Sequence, residues 1–338
     1  MVELMHEYRG NVLENVHPGR VCVVDEGGGR LLSAGNADAM TYFRSASKPL
    51  QALPVLIRGL DRMYGLSDSE VTIMAGSHSG EQVHLDAILG ILEKTGFSED
   101  DLIMKPVYPN NGKARDDMIR SSLPPRKALH NCSGKHLGAM MLEKALTGSH
   151  MDYWKPGSAA QKEITAMISE MTSLTPGRIE VGVDGCGLPV FAVPQRSMAL
   201  AYLKLACPDV IGDPETRAAA ERIVSLMNRY PHIIDGTGTV CSLFNGDSNV
   251  VAKRGAQGVY AFGLKKERIG VSMKREDGTE AGWAFIIAEI LRQLKYDNAE
   301  TIEKLDKLAP AAVVNDNGIE VGAIKPVFKL EESNGGES

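Results

Sequence analysis

Strand-like segments stand on both sides of a long stretch of helical periodicity in this chain, so any sheet must be assembled from residues far apart in sequence. Near the start, Val21–Asp25 and Arg30–Ala34 flank Gly27-Gly28-Gly29, a hairpin signature in which glycine accepts positive φ. From Ser45 to about Gly177 apolar residues recur at helical spacing, as at Leu50, Leu53, Leu56 and Leu60, then Leu85, Ile88, Leu89 and Leu92. Strand-like runs return at Ile179–Val183, Pro189–Val193 and Val250–Lys274, and Ala281–Leu294 reads as a closing amphipathic helix. With 338 residues, 43% of them hydrophobic, the chain has material for two lobes with buried cores. The pattern predicts an α+β fold, a mixed β-sheet flanked by helices plus a mainly helical lobe. Residues 1–44 and 178–330 are expected to form the sheet-containing lobe, 45–177 the helical lobe, and the polar, Gly-rich 331–338 a disordered tail.

The junction of the two regions carries Ser45-Ala46-Ser47-Lys48-Pro49. Residues at i and i+3 share a helix face, so the Lys48 amine can take the Ser45 proton while N–H groups at the helix start hold developing negative charge. A serine amidohydrolase or acyl-transferase is the first reading. Lys253-Arg254-Gly255 lies in a strand-like run and resembles the K-T-G element that accompanies S-x-x-K in penicillin-recognising enzymes. Arg254 replaces the hydroxyl residue of that element, which argues against β-lactam hydrolysis. Lys253 reads either as an exposed strand lysine or as a member of the catalytic set.

Charge and cysteine usage narrow the class. A net charge of −6 and 5% aromatic residues give no electrostatic reason to bind nucleic acid or an anionic membrane, so the expected partner is a small molecule. Met1–Gly19 has no apolar segment of the kind a secretory signal needs, and a cytoplasmic protein is expected. Five scattered cysteines argue for reduced thiols. The Gly27–Gly29 run is not followed by a Lys-Ser/Thr pair or a helix pattern, so it is not a phosphate loop.

Two cysteine segments carry further chemistry. In Asn131-Cys132-Ser133-Gly134-Lys135-His136, Cys132 is expected near a helix N-terminus, which favours a thiolate. In Val183-Asp184-Gly185-Cys186-Gly187, glycines bracket a second cysteine after a strand. Both are ordinary buried thiols or, together, the sulfur ligands of a zinc site, with His136 the conventional nitrogen and Lys135 the unusual one. Ser77-His78-Ser79-Gly80-Glu81 is either a capped turn or the source of a second active-site serine, Ser77.

Taken together, the segments around Ser45, Ser77, Cys132 and Asp184 resemble the thermolabile asparaginase II family, the rhizobial type of L-asparaginase, over roughly residues 6 to 325. The resemblance implies a serine-β-lactamase/glutaminase-like fold, a homodimer, and hydrolysis of L-asparagine to L-aspartate and ammonia. It implies Ser45 as nucleophile, Lys48 as its base, Ser77 as second serine and Lys253 as the lysine paired with it. Zinc is implied on Cys132, Lys135 and Cys186, with Arg44, His136 and Asp184 matching polar residues that line the site. The strand backbone from Lys253 to Gly255 is expected to face the oxyanion, which adds Gly255 to the substrate-binding set. A glutaminase of the same fold and a non-catalytic zinc-binding protein are the rival readings.

Overall fold

A computed structural model describes residues 1–27, 29–309 and 311–332. Among them twelve strands occur: β1 Val2–Arg9, β2 Val12–Val24, β3 Arg30–Ala34, β4 Met40–Tyr42, β5 Glu180–Val183, β6 Pro189–Pro194, β7 Val250–Gly255, β8 Val259–Leu264, β9 Ile269–Arg275, β10 Ala312–Val314, β11 Glu320–Pro326 and β12 Glu331–Glu332. Nine build one sheet in the order β10-β11-β1-β2-β9-β8-β7, with β3 joining β2 and β12 joining β3. The other three form a small sheet in the order β4-β6-β5. The α+β class holds, but the large sheet expected to be mixed is antiparallel at every described pairing. Glu331 and Glu332, expected in the tail, pair with Ser33 and Leu32. The rest of that tail, 333–338, lies outside the described residues.

The central strands are buried on both faces. On β8, Ala261 and Gly263 face the helix Gln195–Ala206, whereas Tyr260 and Phe262 face the opposite layer. There Tyr260 meets Trp283 of the helix Trp283–Gln293 at 5.7 Å, and Phe262 meets Phe244 at 5.2 Å. The first helix lies close because glycine stands beneath it. A Cβ on Gly263 would sit 2.3 Å from the Tyr202 carbonyl oxygen, and one on Gly270 would fall 1.9 Å from that of Ala199. Both are distances no real Cβ contact adopts, so these two positions fix how deeply the helix sits.

That depth matters because the same helix holds the segment carrying Ser45. Tyr202, fully buried, donates its hydroxyl to the Ala46 carbonyl at 2.7 Å. Ala46 belongs to a 3-10 turn, Arg44–Ser47, that runs directly into the helix Lys48–Ile57. Beyond this helix lie Ser133–Thr147, Ala159–Thr172 and Pro214–Arg229, which pack around it and supply the helical half of the core. No described helix is long and apolar enough to cross a membrane.

Candidate active site

Four segments converge where the turn Arg44–Ser47 meets the end of β7. Arg44 has φ 49°, the left-handed region that a residue with a Cβ rarely adopts and that marks a strained backbone. It is held there from two sides. Its guanidinium bonds Asp184 Oδ1 at 3.0–3.1 Å, and its carbonyl accepts the Ser47 hydroxyl at 2.9 Å. Gly255, at the end of β7, closes the third side: a Cβ there would lie 2.5 Å from the Phe43 carbonyl oxygen. The missing side chain therefore lets strand and turn touch.

Lys48 is the centre of the site. Its amine is wholly buried and makes three hydrogen bonds, to the Gly76 carbonyl at 2.7 Å, the Asn131 carbonyl at 3.0 Å and Ser77 Oγ at 2.8 Å. Among the described residues it has no carboxylate partner. Burial, then the nearby Lys135 and Lys253 cations, overcome the pull of Cys132 and Cys186 and bring its pKa down to about 8. The partner set suits both protonation states. An ammonium donates to all three oxygens; a neutral amine donates to the two carbonyls and turns its lone pair to the Ser77 hydroxyl, the one partner able to donate. The spacing pointed to Ser45 as the hydroxyl that Lys48 touches, but the amine instead reaches Ser77. Ser45 and Lys48 are joined through the backbone, Lys48 N–H donating to the Ser45 carbonyl.

Ser45 and Ser77 nevertheless face one space. Together with Asn110, Asn131, Arg254, Ala256 and Glu280 they line a cavity of about 210 Å³. Lys253 is fully buried, its amine donates to the Arg254 carbonyl at 3.1 Å, and burial lowers its pKa. Lys253 makes no hydrogen bond to Ser77. Of the expected substrate-binding residues, Arg44, His136, Asp184 and Gly255 do not line this cavity. Arg44 and Asp184 belong to an adjoining charged cluster, Gly255 packs on Phe43, and His136 is buried with Nδ1 against the Tyr153 hydroxyl at 2.9 Å. Burial keeps His136 neutral.

The adjoining cluster contains the proposed zinc ligands. Cys132 sits at the N-terminus of the helix Ser133–Thr147, as expected, and the neighbouring Cys186 donates its S–H to Asp184 Oδ2 at 3.9 Å. The Cys186 thiol beside it, with Lys48 and Lys135 nearby, holds the Cys132 thiol well below its ordinary range despite burial. Lys135 lies 3.2 Å from Asp184. Burial opposes its charge, but the Cys132, Cys186 and Asp184 anions outweigh it and keep Lys135 an ammonium. Asp184 is likewise pushed up by burial and pulled further down by Lys135 and Arg44, so it stays ionised. Among the described residues no group of three or more His, Cys, Asp or Glu is arranged to hold a metal. Two paired thiols beside an amine nevertheless match zinc in kind, with the amine having to give up its proton.

Five residues of the cavity, Asn110, Asn131, Arg254, Ala256 and Glu280, were not among the expected site residues; Asn131 only opened the Cys132 segment, and Ala256 follows Gly255 in a turn. Arg254 was visible only as a departure from a motif. Asn110 and Glu280 sit in loops with no pattern that marks them, and only the fold brings them to Ser45.

A family description for L-asparaginase II matches residues 5–326, nearly all of the chain. The chain belongs to the L-asparaginase II family. No curated protein sequence matches it. Among solved structures it is similar to Mglu in its native form, at 16% identity and a TM-score of 0.47 over 82% of this chain and 63% of that one. It is similar also to Bacillus glutaminase in 4.3 M NaCl, at 13% identity and a TM-score of 0.42 over 83% and 92%. The chain thus spans under two thirds of the length of Mglu.

The Lys48 environment sets a pH dependence. A base with a pKa of about 8 is mostly protonated at neutral pH, so kcat/KM for amide hydrolysis should rise about tenfold between pH 7 and pH 9, then level off. A profile flat across that window would remove Lys48 from the role of base.

Proposed function

We propose that this L-asparaginase II family member hydrolyses L-asparagine to L-aspartate and ammonia through an acyl-enzyme on Ser45. The observation that carries the reading is the buried Lys48 amine, brought near neutral pH and bonded to Ser77 at the wall of the cavity that Ser45 also lines. Ser45 Oγ attacks the carboxamide carbon, its proton passing by way of the Ser77 hydroxyl to Lys48. The N–H of Ser45 and the backbone at the end of β7 hold the oxyanion, an interaction usually worth about 3 kcal/mol per donor. The tetrahedral intermediate collapses as Lys48 returns the proton to the leaving nitrogen, and ammonia departs. Water, activated along the same path, then cleaves the aspartyl ester and restores Ser45.

A second assignment has one observation in its favour: Ser77, not Ser45, bonds Lys48 directly. Ser77 is the more buried serine, at 3% exposure, and leaves little room for a tetrahedral centre, which favours Ser45 as nucleophile and Ser77 as relay. A glutaminase remains the rival in substrate, because one methylene in a pocket discriminates only weakly.

Zinc belongs to the same proposal, with Cys132, Cys186 and Lys135 holding it. Bound there, it would supply a positive charge that orients the substrate. Cys132, one residue beyond the Asn131 carbonyl on Lys48, ties that cluster to the catalytic amine. Homodimeric assembly and a cytoplasmic location complete the reading.

Ser45→Ala should lose ammonia release from L-asparagine by orders of magnitude while keeping its circular dichroism and melting temperature. Near-native turnover by that variant would end the Ser45 mechanism, and wild-type preference for L-glutamine would change the substrate. Metal analysis of protein purified without chelator should give about one zinc per chain, lost in Cys186→Ala. Zinc-free protein with full activity would reduce the cysteines to packing.

A further inference from the structure

Arg254 is the one residue of the lysine-bearing strand motif that breaks the pattern, and the structure gives it an unusual setting. Its Nε lies 2.8 Å from both oxygens of Asp235, a carboxylate only 2% exposed. Its NH1 donates to Glu280 at 2.8 Å, and its NH2 makes no hydrogen bond among the described residues. The guanidinium also lies over the Trp283 ring, 6.0 Å from its centroid. Asp235 and Trp283 thus anchor the cation from behind, while Arg254 and Glu280 both line the cavity that holds Ser45 and Ser77.

The cavity therefore carries one cation and one anion in contact, both fixed near the two serines. Asp235 and the Trp283 ring hold Arg254 whether or not Glu280 stays on it. Glu280, half exposed, is the partner free to turn away. An α-amino acid head group presents the complementary pair, a carboxylate beside an ammonium. The Arg254 fork suits a carboxylate, and Glu280 suits an ammonium.

We propose that Arg254 and Glu280 are the specificity-determining residues of this cavity, reading the α-carboxylate and the α-ammonium of the substrate. The inference rests on the amidohydrolase reading above and assigns the head-group contacts of that site to two residues. On binding, the substrate carboxylate takes the place of Glu280 on Arg254, and Glu280 turns to the ammonium. Asp235 is a positioning residue: it touches no substrate but fixes the guanidinium. The volume agrees, since about 210 Å³ is the size of one small metabolite.

The test separates the head group from the chemistry. Ammonia release is measured from L-asparagine, N-acetyl-L-asparagine and L-asparagine α-methyl ester, and binding of L-aspartate and N-acetyl-L-aspartate is measured by calorimetry. Wild type should favour free asparagine over either blocked form by about a hundredfold or more in kcat/KM, and should bind L-aspartate but not its acetylated form. Glu280→Gln, isosteric and at the surface, should raise KM for asparagine about tenfold with a smaller change in kcat, leaving the N-acetyl substrate unaffected. Arg254→Gln should act in the same way on the α-methyl ester comparison; if breaking its bond to Asp235 prevents folding, the Glu280 variant decides alone.

Equal use of free and blocked asparagine overturns the proposal, as does a Glu280→Gln loss that falls equally on both. If no amide is hydrolysed, the amidohydrolase reading fails. The head-group proposal is then decided by calorimetry: selective L-aspartate binding that Glu280→Gln weakens supports it, and equal binding of both ligands or binding of neither overturns it.

Discussion

A lysine amine buried with no carboxylate partner among the described residues is the constraint from which the rest of this site follows. Bringing Lys48 from its ordinary pKa to about 8 corresponds to about 3 kcal/mol acting against the ammonium. The fold tolerates this because two carbonyls and a hydroxyl satisfy every hydrogen-bonding capacity of the amine, charged or neutral. A carboxylate in place of Ser77 would keep the lysine charged and useless as a base. The absence of such a partner is therefore what makes Lys48 chemically available.

Holding that amine in place requires the turn before it to be fixed, and the large sheet and its helices do so from several directions. The helix Gln195–Ala206 lies deep on Gly263 and Gly270, which lets Tyr202 reach the Ala46 carbonyl. The end of β7 touches Phe43 because Gly255 lacks a side chain. Asp184 pins Arg44 in a backbone conformation it would not otherwise hold. Strain is concentrated at the residue before Ser45, and the restraints on it come from β7, the helix behind the sheet and the loop after β5.

Much of this was legible locally and little of it at a distance. The pairing of Val21–Val24 with Arg30–Ala34, the strands after Val250, the helix N-terminus at Cys132 and the Ser45–Lys48 turn are written in short-range pattern, and the structure forms them, Gly28 of the expected hairpin turn lying outside the described residues. β10, β11 and the outer half of β2 escaped because their residues are almost all exposed or half-exposed, and β1 because its two buried apolar residues, Leu4 and Met5, are adjacent rather than alternating. Strand direction is not encoded in such patterns either, hence an antiparallel sheet where a mixed one was expected. Within the site, spacing shows which residues share a helix face but not where a four-carbon side chain ends. Lys48 therefore lands on Ser77, and Arg254 acquires its meaning only from Glu280 and Asp235, which chain folding alone brings near.

The most direct test of the account is to stop the reaction within its first turnovers, digest the protein, and find by mass spectrometry which serine carries the acyl group. The account predicts an aspartyl ester on the peptide containing Ser45, absent without L-asparagine. An ester on the Ser77 peptide would exchange the roles of the two serines, and turnover with no acylated serine at all would contradict covalent catalysis here.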